Sequence, residues 1–165
     1  RALSSAASDV YKRQILMKKA NENAIEGIKN KEGGPFGAVI VDKEGNIIAN
    51  GNNKVIKNND PTAHAEIIAI REACKKLNTY DLKDYILYTL CEPCPMCLSA
   101  TIWANIKTIY YGCTRKDAEE IGFRDNYIYD YLEGKNKDVV KLENIERNEC
   151  LKTFERYKEE NGIIY

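Results

Sequence analysis

The 165-residue chain is predicted to fold as an α/β domain, a three-layer α/β/α sandwich around a mixed five-stranded sheet. Three observations predict it. A hairpin pattern at residues 36–50 lies between two amphipathic stretches, and a strand–helix–strand run follows at residues 85–112. Beyond that, "DVVKL" at residues 138–142 reads as a last strand.

The elements follow in chain order. Ile15, Ala20, Ala24, Ile25 and Ile28 keep roughly to one helical stripe, which Gly33-Gly34-Pro35 ends. "FGAVIVD" and "NIIAN" flank "KEG", a short turn with Gly45 at hand for positive φ. After an asparagine-rich loop, "AHAEIIAIREACKKL" repeats Ile67, Ile70, Cys74 and Leu77 at helical spacing, with Pro61 and Thr62 as start signals. "YILYTL" is a strand, "PMCLSATIWAN" a helix and "KTIYYG" a strand, an order that implies parallel strands joined by a crossover. "RKDAEEIGF" looks helical, "NYIYDYL" is ambiguous, and residues 148–160 form a last helix.

No repeat, low-complexity tract or proline-rich linker marks a boundary, so residues 15–165 are expected to form a single domain. Residues 1–14 are expected to be a non-native leader, either an assembly scar or a disordered extension, because "SSAASDVYKRQ" has little apolar periodicity. Lys plus Arg and Asp plus Glu both number 25, which argues against a nucleic-acid or anionic-membrane partner. No apolar run is long enough to span a bilayer and no export signal opens the chain, so a cytoplasmic location is expected.

The six cysteines are scattered except around "CEPCPMC". In a reducing compartment that cluster favours metal or thiol chemistry over a disulfide framework. Pro95 suits the first helical position and pushes Cys94 toward extended geometry, so Cys94 sits near the N-cap with Cys97 one turn in. Both sulfurs can then face the positive end of the helix, which favours thiolate. Two thiolates at that spacing make half a zinc site.

For the remaining ligand the chain offers one histidine, His64, two positions before Glu66. On a regular helix those two residues stand about 200° apart, so they cannot both bind one metal lying at the helix flank. At the opening turn, His64 can ligate while Glu66 approaches from another side as a base. One His and two Cys leave a fourth tetrahedral position open to water, the arrangement of a catalytic zinc, and Glu66 can carry its proton to a leaving amine. Two other readings stand beside this: a closed structural zinc site completed by Cys91, and a thioredoxin-like redox role for "CPMC".

His-x-Glu with Pro-Cys-x-x-Cys is the signature of zinc nucleobase deaminases. Here the sequence resembles the cytidine-deaminase-like superfamily. Through "GGPFGAVIV", "NDPTAHAE", "LYTLCEPCPMCL" and "DAEEIGFRDNYIY" it is most similar to the bacterial guanine deaminase branch. The resemblance implies one Zn2+ per subunit on His64, Cys94 and Cys97, with Glu66 as proton shuttle, and hydrolysis of guanine to xanthine and ammonia. It also implies that Asn53 and Asp125 recognise the base and that Phe36 and Trp103 line its pocket. The resemblance further implies a homodimer, with Tyr165 closing the neighbouring subunit's pocket in a domain-swapped arrangement. Deamination of guanosine, cytosine or adenosine in tRNA is the enzymatic alternative, and a structural zinc module the non-enzymatic one.

Overall fold

The structure is a computed structural model that describes residues 2–165, with side chains described from residue 6 onward. The first compact unit ends at Tyr129 and the second is Asp130–Tyr165.

The first unit opens with helix α1, Ala2–Lys29. The first residue of the expected leader lies outside the described residues; residues 2–14 continue α1. The buried stripe of α1 is Leu16, Ala20, Asn23, Ala24 and Gly27, whereas Ile15, Ile25 and Ile28 of the expected stripe are exposed. A polar residue holds a place in that stripe because Asn23 Nδ2 donates to Ala38 O and Asn50 Oδ1, both at 3.0 Å.

Strands β1, Gly37–Val41, and β2, Ile47–Asn52, form the expected antiparallel hairpin. Gly45 takes positive φ in the turn, where Asp42 Oδ1 accepts from the amides of Glu44 and Asn46. The asparagine-rich loop contains a short helix, α2, Val55–Asn58, ahead of helix α3, Ala65–Leu77. Strand β3, Ile86–Cys91, helix α4, Pro95–Trp103, and strand β4, Thr108–Cys113, complete the expected crossover, β3 and β4 being parallel. Helices α5, Arg115–Glu120, and α6, Asn126–Leu132, follow.

The sheet order is β2-β1-β3-β4, four strands among the described residues where five are expected from the sequence. The missing strand is "DVVKL". Residues 138–142 carry no strand pairing and are exposed. Three apolar side chains interrupted by Lys141 bury too little surface to offset the entropy of ordering a strand.

Alternation along β1 builds two cores. Val39 and Val41 pack with Leu16 of α1 and Tyr88, while Ala38 and Ile40 pack with Leu87 and with Ala65, Ala69 and Ala73 of α3. Those three alanines, spaced by four, are the face of α3 that meets the sheet, and their small size lets the helix approach β2 closely. Gly51 marks the contact point, because a Cβ there would overlap the Ala65 carbonyl oxygen. This close packing fixes the first turn of α3 against the sheet.

The second unit holds helix α7, Arg147–Glu159, whose surface pairs include Arg156 Nε donating to Glu160 Oε1 at 2.8 Å. Tyr157 Oη donates to Ile163 O at 2.6 Å and folds the C-terminal segment onto that helix. No residue of this unit is buried, and Leu142, Ile145, Phe154, Ile163 and Ile164 are all exposed.

Leu87 is fully buried between β1 and α3. Leu87→Ala is expected to cost ~2–5 kcal/mol of unfolding free energy, measured by urea denaturation, with a cavity left beside the alanine face of α3.

Candidate metal centre and its pocket

Two helix starts meet at one point. His64 is the N-cap of α3, with extended φ −69 and ψ 157, and Cys94 is the N-cap of α4, with φ −64 and ψ 166. Pro95 follows Cys94 at the first helical position, as the Cys-Pro step predicts. Pro61 and Thr62 do not start α3 directly. They lie in a turn where Asp60 Oδ1 accepts from the Thr62 amide at 2.8 Å and from its hydroxyl at 2.7 Å. Because His64 lies outside the helix proper, the 200° separation of a regular helix does not apply to it.

Cys94 Sγ and Cys97 Sγ stand 3.6 and 3.5 Å from His64 Nδ1. A tetrahedral zinc with sulfur at about 2.3 Å and imidazole nitrogen at about 2.0–2.1 Å would space those atoms about 3.6 Å apart. All three donor atoms lie within 4.8 Å of one another. The donor set therefore fits one Zn2+ per subunit in both chemistry and spacing.

Electrostatics at the two sulfurs differ. Hydrogen bonding from Cys97, opposed by burial and aided by His64, pulls the Cys94 thiol down to about 4. Cys97 is pushed the other way, first by its hydrogen bond to Cys94 and then by burial. The hydrogen bond to Cys94 raises His64 above the ordinary imidazole value, against burial.

Cys91 takes no part in the triad. Its thiol donates to Thr114 O at 3.4 Å, and burial pushes it up to about 12. That geometry speaks for an open site over one closed by Cys91. With His64 and Glu66 drawn into the same centre, a thioredoxin-like role for Cys94 and Cys97 loses its ground as well.

Glu66 is the second helical residue of α3 and is buried. Its Oε1 accepts from Thr89 Oγ1 at 2.9 Å and its Oε2 from Cys97 Sγ at 3.4 Å. Burial is the largest influence on this carboxyl and raises its pKa, which the Thr89 hydroxyl partly offsets. A carboxylate so placed takes up a proton more readily than one in water.

The centre opens into a cavity of about 620 Å³, lined by His64, Glu66, Cys94, Phe36, Asn53 and Asp125 among others. Asn53 is buried, and its Oδ1 accepts from the amides of Gly34 at 3.1 Å and Val55 at 3.2 Å. With the oxygen occupied, the NH2 group is the end left to meet a ligand. Burial, followed by the nearby Cys94, raises the Asp125 carboxyl above its ordinary value. Trp103 does not line this cavity and is 70% exposed, and Tyr165, in the second unit, is 78% exposed.

Sequence reading misses two neighbours of the site. Phe123 lines the cavity edge-on to Phe36, with ring centroids 4.9 Å apart. It stands two residues before Asp125 in "GFRDN", the signal that could have found it. Thr89 shares the inward face of β3 with Leu87 by strand alternation, so a polar residue facing the core was legible there.

The zinc-binding region of cytidine and deoxycytidylate deaminases matches residues 10–113. The chain belongs to this deaminase family. Guanine deaminase of Bacillus subtilis is 56% identical over 116 residues, 70% of this chain and 74% of that protein. The X-ray structure of that enzyme superposes with a TM-score of 0.83 at 46% identity, covering 88% of this chain and 93% of that one. tRNA-specific adenosine deaminase of Buchnera aphidicola is 43% identical over 123 residues, 74% of this chain and 79% of that protein. The α/β architecture is thus that of the deaminase family, on a sheet of four strands.

Cys91→Ser is expected to purify with wild-type zinc content, and Cys97→Ser to lose most of it. Metal analysis by inductively coupled plasma mass spectrometry checks both.

Proposed function

We propose that this protein is a zinc-dependent guanine deaminase, hydrolysing guanine to xanthine and ammonia. The observation that carries the reading is a buried carboxylate, Glu66, beside a His-Cys-Cys donor set. Both open into a cavity that also presents one amide donor and one carboxylate acceptor. The likeness to Bacillus subtilis guanine deaminase over 88% of the chain supports guanine as the base.

His64, Cys94 and Cys97 hold the zinc. When bound, the metal supplies Lewis-acid polarisation and makes water a stronger acid. Glu66 takes the proton of the attacking water, which its burial favours, and Thr89 keeps the carboxylate aimed. The water oxygen bonds to C2 of guanine as the C2=N3 double bond opens, and Glu66 passes the first proton to N3. Glu66 then takes the second proton from the new hydroxyl and gives it to the 2-amino nitrogen, C2=O forms as the C2–N bond breaks, and ammonia leaves. Asn53 donates its NH2 to an acceptor on the purine rim, Asp125 accepts from ring N–H groups, and Phe36 with Phe123 offers aromatic surface to the ring.

The working form is a homodimer in which the C-terminal unit reaches the neighbouring copy and Tyr165 closes that copy's pocket. A unit with no buried residue and a row of exposed apolar side chains supports this, since such surface is costly to leave in water.

The test is ammonia release from guanine, guanosine, cytosine, adenine and a tRNA anticodon stem. Guanine turns over, and Glu66→Gln keeps its zinc while kcat falls at least ~10²-fold. Turnover of the tRNA stem with inert guanine would place the chain with the adenosine deaminases instead. Thr89→Val is expected to keep zinc and lose about tenfold in kcat, because Glu66 loses its hydroxyl anchor.

A further inference from the structure

Helix α1 ends in a way that aims one carboxylate. Lys31 takes φ 56, and the Glu32 amide reaches back to Gly27 O at 2.9 Å, closing the helix and fixing the direction of Glu32. The Glu32 side chain then meets two partners from different segments. Its Oε1 accepts from Lys57 Nζ on α2, and its Oε2 accepts from Asn52 Nδ2 at the end of β2, at 2.6 Å. The Glu32 carbonyl also accepts from the Lys57 amide at 2.9 Å.

This is more than a surface pair. The Glu32 side chain is only 12% exposed, while the Lys57 end of the pair, 54% exposed, stays in water. Lys57, then Asn52, hold its carboxyl below the ordinary glutamate value, which keeps it charged. Gly27, in the body of α1, fits the same picture. A Cβ there would come within 2.6 Å of Asn52 Nδ2, so a poor helix former stands where the Asn52 amide needs room.

Asn53, the next residue, ties the same segments from the pocket side. Its amide donates to Phe36 O at 3.0 Å, and its Oδ1 receives the Gly34 and Val55 amides. The segment after α1, the end of β2 and the start of α2 are therefore stitched twice, by Glu32 outside and by Asn53 inside.

We propose that Glu32 is a positioning residue for the base-binding wall, clamping the end of α1 to Asn52 and Lys57 so that the Asn53 carboxamide presents its NH2 to the base. The proposal rests on the reading of Asn53 as the donor to guanine. Glu32 touches no reacting atom and acts through Asn53 alone, which separates it from a general stabilising role. Glu32→Gln keeps the shape and an acceptor for Asn52, and so restores part of what Glu32→Ala loses.

Two readouts on the zinc-loaded protein decide it. The first is amide hydrogen exchange by nuclear magnetic resonance, which needs no substrate. Glu32→Ala should speed exchange at Gly34 and Val55 by about tenfold while the core amide of Leu87 is unchanged, with Glu32→Gln in between. Unchanged Gly34 and Val55 amides, or equal acceleration at Leu87, would overturn the clamp. The second is a double-mutant cycle with Asn53→Ala on guanine turnover. Glu32→Ala alone raises KM about tenfold with little change in kcat, and in the Asn53→Ala background it adds nothing. Losses that multiply would show that Glu32 does not act through Asn53. If the wild-type protein leaves guanine intact, the functional reading fails, and the exchange experiment alone decides the clamp.

Discussion

Two helices that begin at the same place are the constraint on which the site depends. His64 and Cys94 are both N-caps in extended conformation, so each side chain stands ahead of its helix instead of on its flank. The amino-terminal ends of α3 and α4 converge there, and their positive dipole ends favour a negatively charged ligand set. Neither helix alone assembles the donor set. The imidazole comes with one and both sulfurs with the other, so their relative placement is what the fold must secure.

The sheet secures it. An alanine face on α3 lets that helix approach β2 until its first turn meets Gly51, and strand β3 runs directly into the Cys-Pro start of α4. The same inward face of β3 that packs Leu87 carries Thr89, whose hydroxyl meets Glu66. A buried glutamate without such a partner would be expensive, and with it the carboxyl is held at the metal centre with raised proton affinity. Core packing and acid–base chemistry thus share one strand, which ties the stability of this region to its reactivity.

What was legible in the sequence follows from how local each signal is. The start of α4 was readable because proline fixes both its own φ and that of Cys94. The hairpin was readable because Gly45 and Asp42 make a turn within a few residues of each other. The start of α3 was read too early, since Pro61 and Thr62 resemble a helix opening but belong to an Asp60 turn. The fifth strand expected at "DVVKL" does not form, because its strand-forming residues lack a partner and pairing is not a local property. Ile25 and Ile28 illustrate the same limit: on periodicity they belong to the core, but Asn23 and Gly27 take those places through contacts with Asn50 and Asn52 that no helical period encodes. Only family resemblance points to Trp103 and Tyr165, and both are exposed in the single chain.

The claim at the centre is that one imidazole nitrogen and two thiolate sulfurs hold the metal, with Cys91 left aside. X-ray absorption at the zinc edge tests it most directly. The account predicts a first shell of two sulfurs at about 2.3 Å and one imidazole nitrogen at about 2.0–2.1 Å, the remaining scatterer being a light atom. A shell containing three sulfurs, or none of the imidazole signal, would contradict it.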